Sequence, residues 1–594
     1  MTEKLDNTLE WEQKTAGEQY NNNIRYYTAT DLNWNMYNDN QWVGVKANDL
    51  LKFQANVCKQ STNYQRASIL SRPIKAEYDA DNIPEPMPGS QDPVDLANKS
   101  KREIIKKLTQ AASMKWEKEK MQHKLHEILL DGAVSGDMCV HTYWDETMAT
   151  GQLETGDFHT DVIDGARVMP SNPNSADMQS QEYILIVGRE AVSKLKAEAK
   201  RNKVSQYFID AIMSDRDTEY QIGERGKIEL ESKDDVGAKA TYVIKYWKDE
   251  SGEVFWNKST RYCQIVKNRK LGNAKGEYIE ETKITRYPIA WGNWDIIKNS
   301  YHGNSLIGGI VDNQLTINQL IAMCNHWMRL NAFGKTIIDS DRIEKWTNKL
   351  NEVIKCSGST DGVVKQLAAG NFNSAILELI KLIVQYTKEF SGATEGALGQ
   401  INPEQASGTA IMMAAKQSAV PHANILENLT QFVEDIYLIW GEFMLKKYNT
   451  RKLFFKNEKN MLTAFDYNSE DISDVLLSCK VNVGPSSIYS ETVLMQNLDS
   501  LAQRGPEWIT PVEYYEAVAT MNILPNPQKL IANAKVREMQ KAQIQQMQQQ
   551  LALAQGLPPQ LTTATGQGAN SPELQGALGA TAQNSLRTSQ PKQS

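Results

Sequence analysis

Catalytic signatures are what this 594-residue chain has least of. No glycine-rich loop followed by Lys and Ser or Thr is present, which excludes a P-loop ATPase. The six cysteines, Cys58, Cys139, Cys263, Cys324, Cys356 and Cys479, stand singly with no pair at metal-ligand spacing. They read as free thiols of a reducing compartment. No apolar run approaches the roughly eighteen residues of a membrane helix; Glu378 and Lys381 interrupt the most apolar segment, 374–390. The chain opens Met1-Thr2-Glu3-Lys4-Leu5-Asp6, so no secretory signal and a cytoplasmic site of assembly are expected. Positive charge is in deficit, with 65 Lys and Arg against 72 Asp and Glu for a formal charge of −7. Such a surface does not draw in polyanions on average, although a channel through which nucleic acid slides is compatible with it.

What is there is length enough for about two to four domains and a clear change of character along the chain. Residues 1–40 are polar with interspersed aromatics and permit a helix, and four prolines between 84 and 93 mark a loop. One long amphipathic helix is predicted over 95–130. Strands are predicted at 138–144, 158–163 and 183–187, with a helix over 189–200. The clearest hairpin joins 242–247 to 254–256 through Asp249-Glu250-Ser251-Gly252, and segments 261–266 and 281–289 are candidates to extend its sheet. Helices follow at 409–419 and 425–448, strands at 454–455 and 475–483, and short helices at 491–503 and 511–521. Beyond Pro527 a glutamine-rich helix over 528–550 gives way to Gly, Thr, Ala, Gln and Ser, a composition that predicts disorder.

The segment that organises the rest runs from Pro288 to Ala415. Helix 310–331 carries apolar residues on more than one stripe, after the hinge Gly308-Gly309 and with Asp312 in its first turn. Helix 374–390 is apolar nearly all round. Each is therefore buried on several faces or packed against copies of itself. Between them, 332–373 holds a strand at 335–338, a helix at 342–354 and a strand at 362–366. After them, 391–406 is glycine-rich, and from 389 to 415 there is no Lys or Arg while Glu389, Glu395 and Glu404 supply only negative charge. Such a loop is either an ordinary connection or one that touches nucleic acid without gripping phosphate.

Three groupings were candidates for chemistry. Asp131-Gly-Ala-Val-Ser-Gly136 lacks the preceding strand of a dinucleotide fingerprint and reads as a turn. His123 and His126 share a helix face without the His-Glu-x-x-His pattern, which favours a surface helix. Asp157, His159, Asp161 and Asp164 alternate along a strand; they fit either a solvated face or a Mg²⁺ site.

The order of these elements resembles the portal proteins of tailed bacteriophages. The likeness starts at Arg25-Tyr26-Tyr27 and Gln41-Trp42, continues through Asp131–Asp137 and the aromatic strand after it, and is strongest at Gly303-Asn-Ser-Leu-Ile-Gly-Gly309, Asp312-Asn-Gln314 and Ile317-Asn318. It covers about 25–530 and leaves the glutamine-rich tail outside. It implies an α+β, portal-like fold with a wing, a two-helix stem, a small α/β clip insert and a helical crown region. The implied parts are an N-terminal wing segment (1–80), an α+β wing (95–290), a lead-in and first stem helix (291–331) and the clip (332–373). The second stem helix (374–390), tunnel loop (391–406), helical wing and crown region (407–530) and glutamine-rich helix with disordered tail (531–594) follow. By the same resemblance Asp312, Gln314, Asn318 and Trp327 belong to stem helix or subunit contacts. Gly392, Glu395, Gly396, Gly399 and Glu404 face DNA, and Lys335, Arg342, Lys345 and Lys349 are clip contacts. The expected protein is a non-enzymatic ring of about twelve subunits at one capsid vertex of the virion. Double-stranded DNA passes through it without sequence specificity, and terminase, capsid and neck or adaptor proteins dock on it. No cofactor, metal or membrane is expected. Two other readings stay open: a scaffold-like virion protein that is not a portal, and a metal-dependent nuclease built on Asp157–Asp164.

Overall fold

The computed structural model describes residues 6–46, 52–71, 74–84, 92–150, 155–214, 238–272, 283–331, 335–343, 353–367, 373–392, 423–448, 450–456, 462–472 and 475–483, with short pieces between 495 and 544. The chain divides into two compact units, Met1–Ser487 and Ile488–Ser594.

The first unit opens with helices α1 (Leu9–Asn23), α2 (Tyr26–Tyr37) and α3 (Val57–Leu70), then strand β1 (Ile74–Ala80). The first two replace the single helix expected over 1–40, because Arg25 adopts a left-handed conformation (φ 59°) between them. Next come α4 (Pro93–Lys118), α5 (Met121–Ser135) and strands β2 (Asp137–Asp145), β3 (Asp157–Val162), β4 (Val168–Pro170) and β5 (Tyr183–Ala191). The helix predicted over 95–130 is thus broken. Lys120 sits at φ 53°, and the turn lets Met121, Leu125, Ile128 and Leu129 reach the core with no exposed surface. Hydrophobic spacing continues through the break, so periodicity alone does not reveal it.

Helices α6 (Val192–Arg201) and α7 (Gln206–Asp210) precede β6 (Lys239–Lys248), β7 (Val254–Ser259), β8 (Gln264–Lys270) and β9 (Ile289–Asn293). The predicted hairpin forms, and the antiparallel sheet runs β4-β5-β6-β7-β8. The segment 281–289, a candidate to extend it, contributes no strand to this sheet among its described residues, and Ile289 begins β9. Strand β9 pairs with β2 in a separate sheet ordered β3-β2-β9, with Cys139 opposite Trp291. Then come α8 (Val311–Asn331), β10 (Lys335–Ile338), β11 (Val364–Leu367), α9 (Ala375–Phe390), α10 (Ala423–Lys447), β12 (Thr450–Lys456), β13 (Leu462–Asn468) and β14 (Leu477–Val483).

Helix α10 is the centre of the main core. Leu429, Phe432, Val433, Ile436, Trp440 and Phe443 are at most 1% exposed, and a helix this apolar on so many sides must be enclosed. It is also tied polar group by polar group. The Trp440 indole donates to Thr160 Oγ1 at 2.8 Å, the Tyr78 hydroxyl donates to the Tyr437 carbonyl at 2.6 Å, and Glu442 accepts the Thr285 and Arg286 amides at 2.6 and 3.0 Å. Strand β14 then returns to β1 across some four hundred residues of sequence, Ile74 opposite Val483 and Ala80 opposite Leu477. Phe454–Phe455 lies near the end of a longer strand, β12, whose partner β13 has no counterpart among the predicted strands.

In the second unit the best-defined element is α11 (Pro511–Ala519). Thr510 and Glu513 close a capping box at its start: Glu513 Oε2 accepts the Thr510 amide at 2.9 Å, and Thr510 Oγ1 accepts the Glu513 amide at 3.3 Å.

Candidate functional site

The two helices predicted over 310–331 and 374–390 exist and lie side by side as α8 and α9. Asn313 Nδ2 donates to Thr387 Oγ1 at 3.1 Å between them. Each is anchored at one end only. The first half of α8 buries Val311, Ile317 and Ala322, and Ile307, Ile310 and Val311 pack with Met36, Cys58 and Val134. At the end of α9, Ser391 Oγ donates to Ser61 Oγ at 2.9 Å, and Gln65 Nε2 donates to the Ser391 carbonyl at 2.6 Å. Gly392 follows with φ +70°, the left-handed turn that glycine permits at a helix end.

Beyond these anchors both helices are uncovered. On α9 only Thr387 is buried, while Leu377, Leu379, Leu382, Tyr386 and Phe390 are 44–67% exposed. On α8 Met323, Met328 and Leu330 are likewise open. Burial within the chain, one of the two outcomes expected for these helices, therefore holds for the first half of α8 and not for α9 or the end of α8.

The polar positions of α8 divide. Asp312 is exposed in the first turn. Gln314 is fully buried, its Oε1 accepting the Val57 amide at 2.8 Å and its Nε2 donating to the Ala55 carbonyl at 2.7 Å and to Asn318 Oδ1 at 3.0 Å. Asn318 in turn donates to Gln41 Oε1 at 2.6 Å. The resemblance implies stem-helix positions or subunit contacts for these two. Their polar groups are consumed inside the chain, stapling α8 to the connection between α2 and α3 and to the start of α3. Trp327 is half-buried in the last turn. Lys335 opens β10, and Arg342 is half-exposed and pairs with Asp339 at 3.4 Å. Lys345, Lys349, Glu395, Gly396, Gly399 and Glu404 lie outside the described residues. Strands β10 and β11 form an antiparallel pair from Lys335–Leu367 to Ile338–Val364. Of the helix expected over 342–354, the described part is not helical: Arg342 lies in a turn and Val353 and Ile354 are irregular.

What holds α8 in place is a polar centre missed by the sequence reading. Asp137 has no exposed surface. Its Oδ2 accepts the Tyr26 hydroxyl at 2.8 Å and lies 2.6 Å from His302 Nδ1, while Oδ1 accepts Asn293 Nδ2 at 3.1 Å and the Gly303 amide at 2.9 Å. The His302 ring is stacked between Tyr26 and Tyr301, with centroids at 3.7 and 3.8 Å. Burial, with the Asp137 charge second, pushes the Tyr26 hydroxyl well above its usual range, so it stays a donor. Gly136 and Gly303 touch backbone to backbone here: a Cβ on Gly136 would stand 2.2 Å from the Gly303 carbonyl oxygen. This explains why glycine occurs at both places. Tyr26, Asp137 and Gly303 each fall in a segment that carries the portal resemblance, but nothing in the sequence joins the three segments.

The carboxylates of the possible Mg²⁺ site are committed elsewhere. Asp157 Oδ2 accepts Lys115 Nζ at 2.6 Å and its Oδ1 accepts the Tyr448 hydroxyl at 2.8 Å, while Asp161 lies 3.0 Å from His159 Nε2. Among the described residues no His, Cys, Asp and Glu side chains gather as a metal-binding group.

A family model described as "Phage P22-like portal protein" matches residues 160–580, well over half of the chain. The chain belongs to this family. No curated protein matches it. Portal membership makes it a structural rather than enzymatic component of a tailed-phage virion, acting in a capsid-associated oligomeric ring with DNA and terminase as partners. The match differs from the expected span at both ends. It omits residues before 160, and it runs far into the glutamine-rich tail that the sequence reading had left outside the portal region. No helix among the described residues is long and apolar enough to cross a membrane.

Proposed function

We propose that the chain forms a closed ring of about twelve subunits at one capsid vertex, with α8 and α9 as the stem that surrounds the DNA channel. The observation that carries this reading is the apolar surface left open on both helices. A monomer would keep these side chains in water, although fully burying a Leu, Met or Phe contributes roughly 1.5–3 kcal/mol. In a ring each subunit offers two different faces to two neighbours, so a helix uncovered on several sides becomes enclosed. At about 1.5 Å per residue, α8 is long enough for a channel wall of roughly 30 Å.

In this arrangement 332–373, with β10 and β11, is the clip. Lys335, Arg342, Lys345 and Lys349 are its contacts to terminase or to neck and adaptor proteins. Residues 391–406 are the tunnel loop, and Gly392, Glu395, Gly396, Gly399 and Glu404 meet DNA without the phosphate attraction that would hold it in place. Asp312 and Trp327 are stem contacts, and Gln314 and Asn318 are stem-helix positions whose polar groups bond within the chain. Residues 1–80 and 95–290 make the wing, 407–530 contribute wing and crown, and 531–594 extend beyond it. Assembly takes place in the host cytoplasm.

Electron microscopy of the purified full chain, classified for rotational symmetry, tests this. A hollow ring of about twelve copies is expected. A chain that stays monomeric at high concentration and in the presence of its terminase would overturn it.

A further inference from the structure

A pocket opens at the edge of the main core. It has a volume of about 480 Å³ and lies between the end of α4, the start of β3, the end of α10 and β12. Sites of roughly 300–1,000 Å³ suit small ligands. Four cations line it, Lys115, Lys118, Arg451 and Lys452, against two carboxylates, Glu117 and Asp157. Asp157 is already neutralised by Lys115 at 2.6 Å, with Lys118 at 3.7 Å, and Lys115 also meets Glu119 at 3.2 Å.

Arg451 is different. It is 9% exposed, and no ion pair joins it to a carboxylate among the described residues. Its Nε donates to the Tyr448 carbonyl at 2.9 Å and its Nη1 to the Gly156 carbonyl at 3.3 Å. A guanidinium carries five N–H donors, so donors remain. The faces of Tyr448 (4.1 Å) and Trp144 (5.7 Å) stabilise the charge in part. A buried cation is nevertheless costly until an anion reaches it, and the planar guanidinium fork matches a phosphate. At the rim the side chains of Lys118 and Lys452 are 62% and 65% exposed, Lys452 standing 3.9 Å from Asp466.

We propose that this pocket binds a phosphate group, with Arg451 as the buried fork and Lys118 and Lys452 as rim charges. The same chemistry is offered by free inorganic phosphate and by the backbone of nucleic acid. The site stands independently of the ring.

The test uses the full chain, inorganic phosphate and a short DNA duplex, with amine-labelling of lysines as the local readout and calorimetry for affinity. Phosphate is expected to slow labelling of Lys118 and Lys452 at least threefold while leaving Lys194, an exposed lysine on α6, unchanged. Arg451→Lys is expected to weaken binding about tenfold, because it keeps the charge and loses the fork. Should that variant fold poorly, Lys118→Gln with Lys452→Gln alters only exposed groups and is expected to weaken binding by a similar factor. Protection by phosphate without competition from DNA assigns the site to the free anion. Protection by DNA that phosphate reverses assigns it to the nucleic-acid backbone. If neither ligand protects the two lysines, or the double variant binds like the unmodified chain, the proposal fails.

Discussion

At the scale of single residues, two titratable groups, one buried and one half-buried, set opposing pH dependences. His141 lies inside β2 with its Nε2 2.8 Å from the Tyr246 hydroxyl, and burial pushes its pKa down to about 4. Between pH 4 and 6.5 the unfolded chain binds a proton that the folded chain does not, so stability is lost as pH falls through this window. The full effect is on the order of 3 kcal/mol. Asp435 on α10 is raised to about 6, chiefly by burial, with Arg286 opposing and Asp177 assisting. There the folded chain binds the extra proton, and stability falls as pH rises from the ordinary carboxylate range to about 6. The two slopes offset each other. His141→Gln should therefore leave a profile that falls with rising pH below 6, and Asp435→Asn should leave one that rises more steeply than in the unmodified chain. Urea unfolding at half-unit pH steps measures this; parallel profiles for all three proteins would show that neither group titrates as its burial requires.

Among the elements, α9 carries the clearest consequence. Leu382 is 44% exposed within the chain, so Leu382→Asp should change the stability of the isolated subunit by no more than about 0.5 kcal/mol. In a ring the same carboxylate would be buried without a partner, which is strongly unfavourable. Sedimentation velocity should then show folded subunits that no longer assemble. Rings formed as readily by this variant would remove the α9 face from the subunit contact. The helix itself was legible from sequence, because its apolar residues and its neighbours' glycines mark it plainly. Its exposure was not legible, since apolarity states only that a surface will be covered and not by which chain. The break between α4 and α5 was hidden for a related reason: Lys120 carries no turn signature, and only the packing of Met121 and Leu125 makes its strained backbone worthwhile.

For the whole molecule, Asp137 is the point where distant parts of the chain meet, joining α2, β2, β9 and the lead-in to α8. Asp137→Ala would leave Tyr26, Asn293, His302 and the Gly303 amide without their acceptor. Leaving a buried donor without its acceptor costs roughly 1–3 kcal/mol, so a large fall in unfolding midpoint is expected, with earlier proteolysis in the first forty residues. A midpoint within a degree of the unmodified protein would mean that water or a rearranged neighbour replaces the carboxylate.

The sequence by itself determined the α+β class, the hairpin of β6 and β7, the paired helices with an insert between them and hence the portal resemblance. These depend on local periodicity, turn residues and order along the chain. Tertiary structure alone decided that α10 is the centre of the core, that β14 closes on β1, that β9 joins β2 and that Gln314 and Asn318 face inward. It also decided that Arg451 is buried beside a pocket. Each of these is a pairing between residues far apart in the chain, and the type of a polar or charged residue does not state whether its partner is water, its own chain or another molecule.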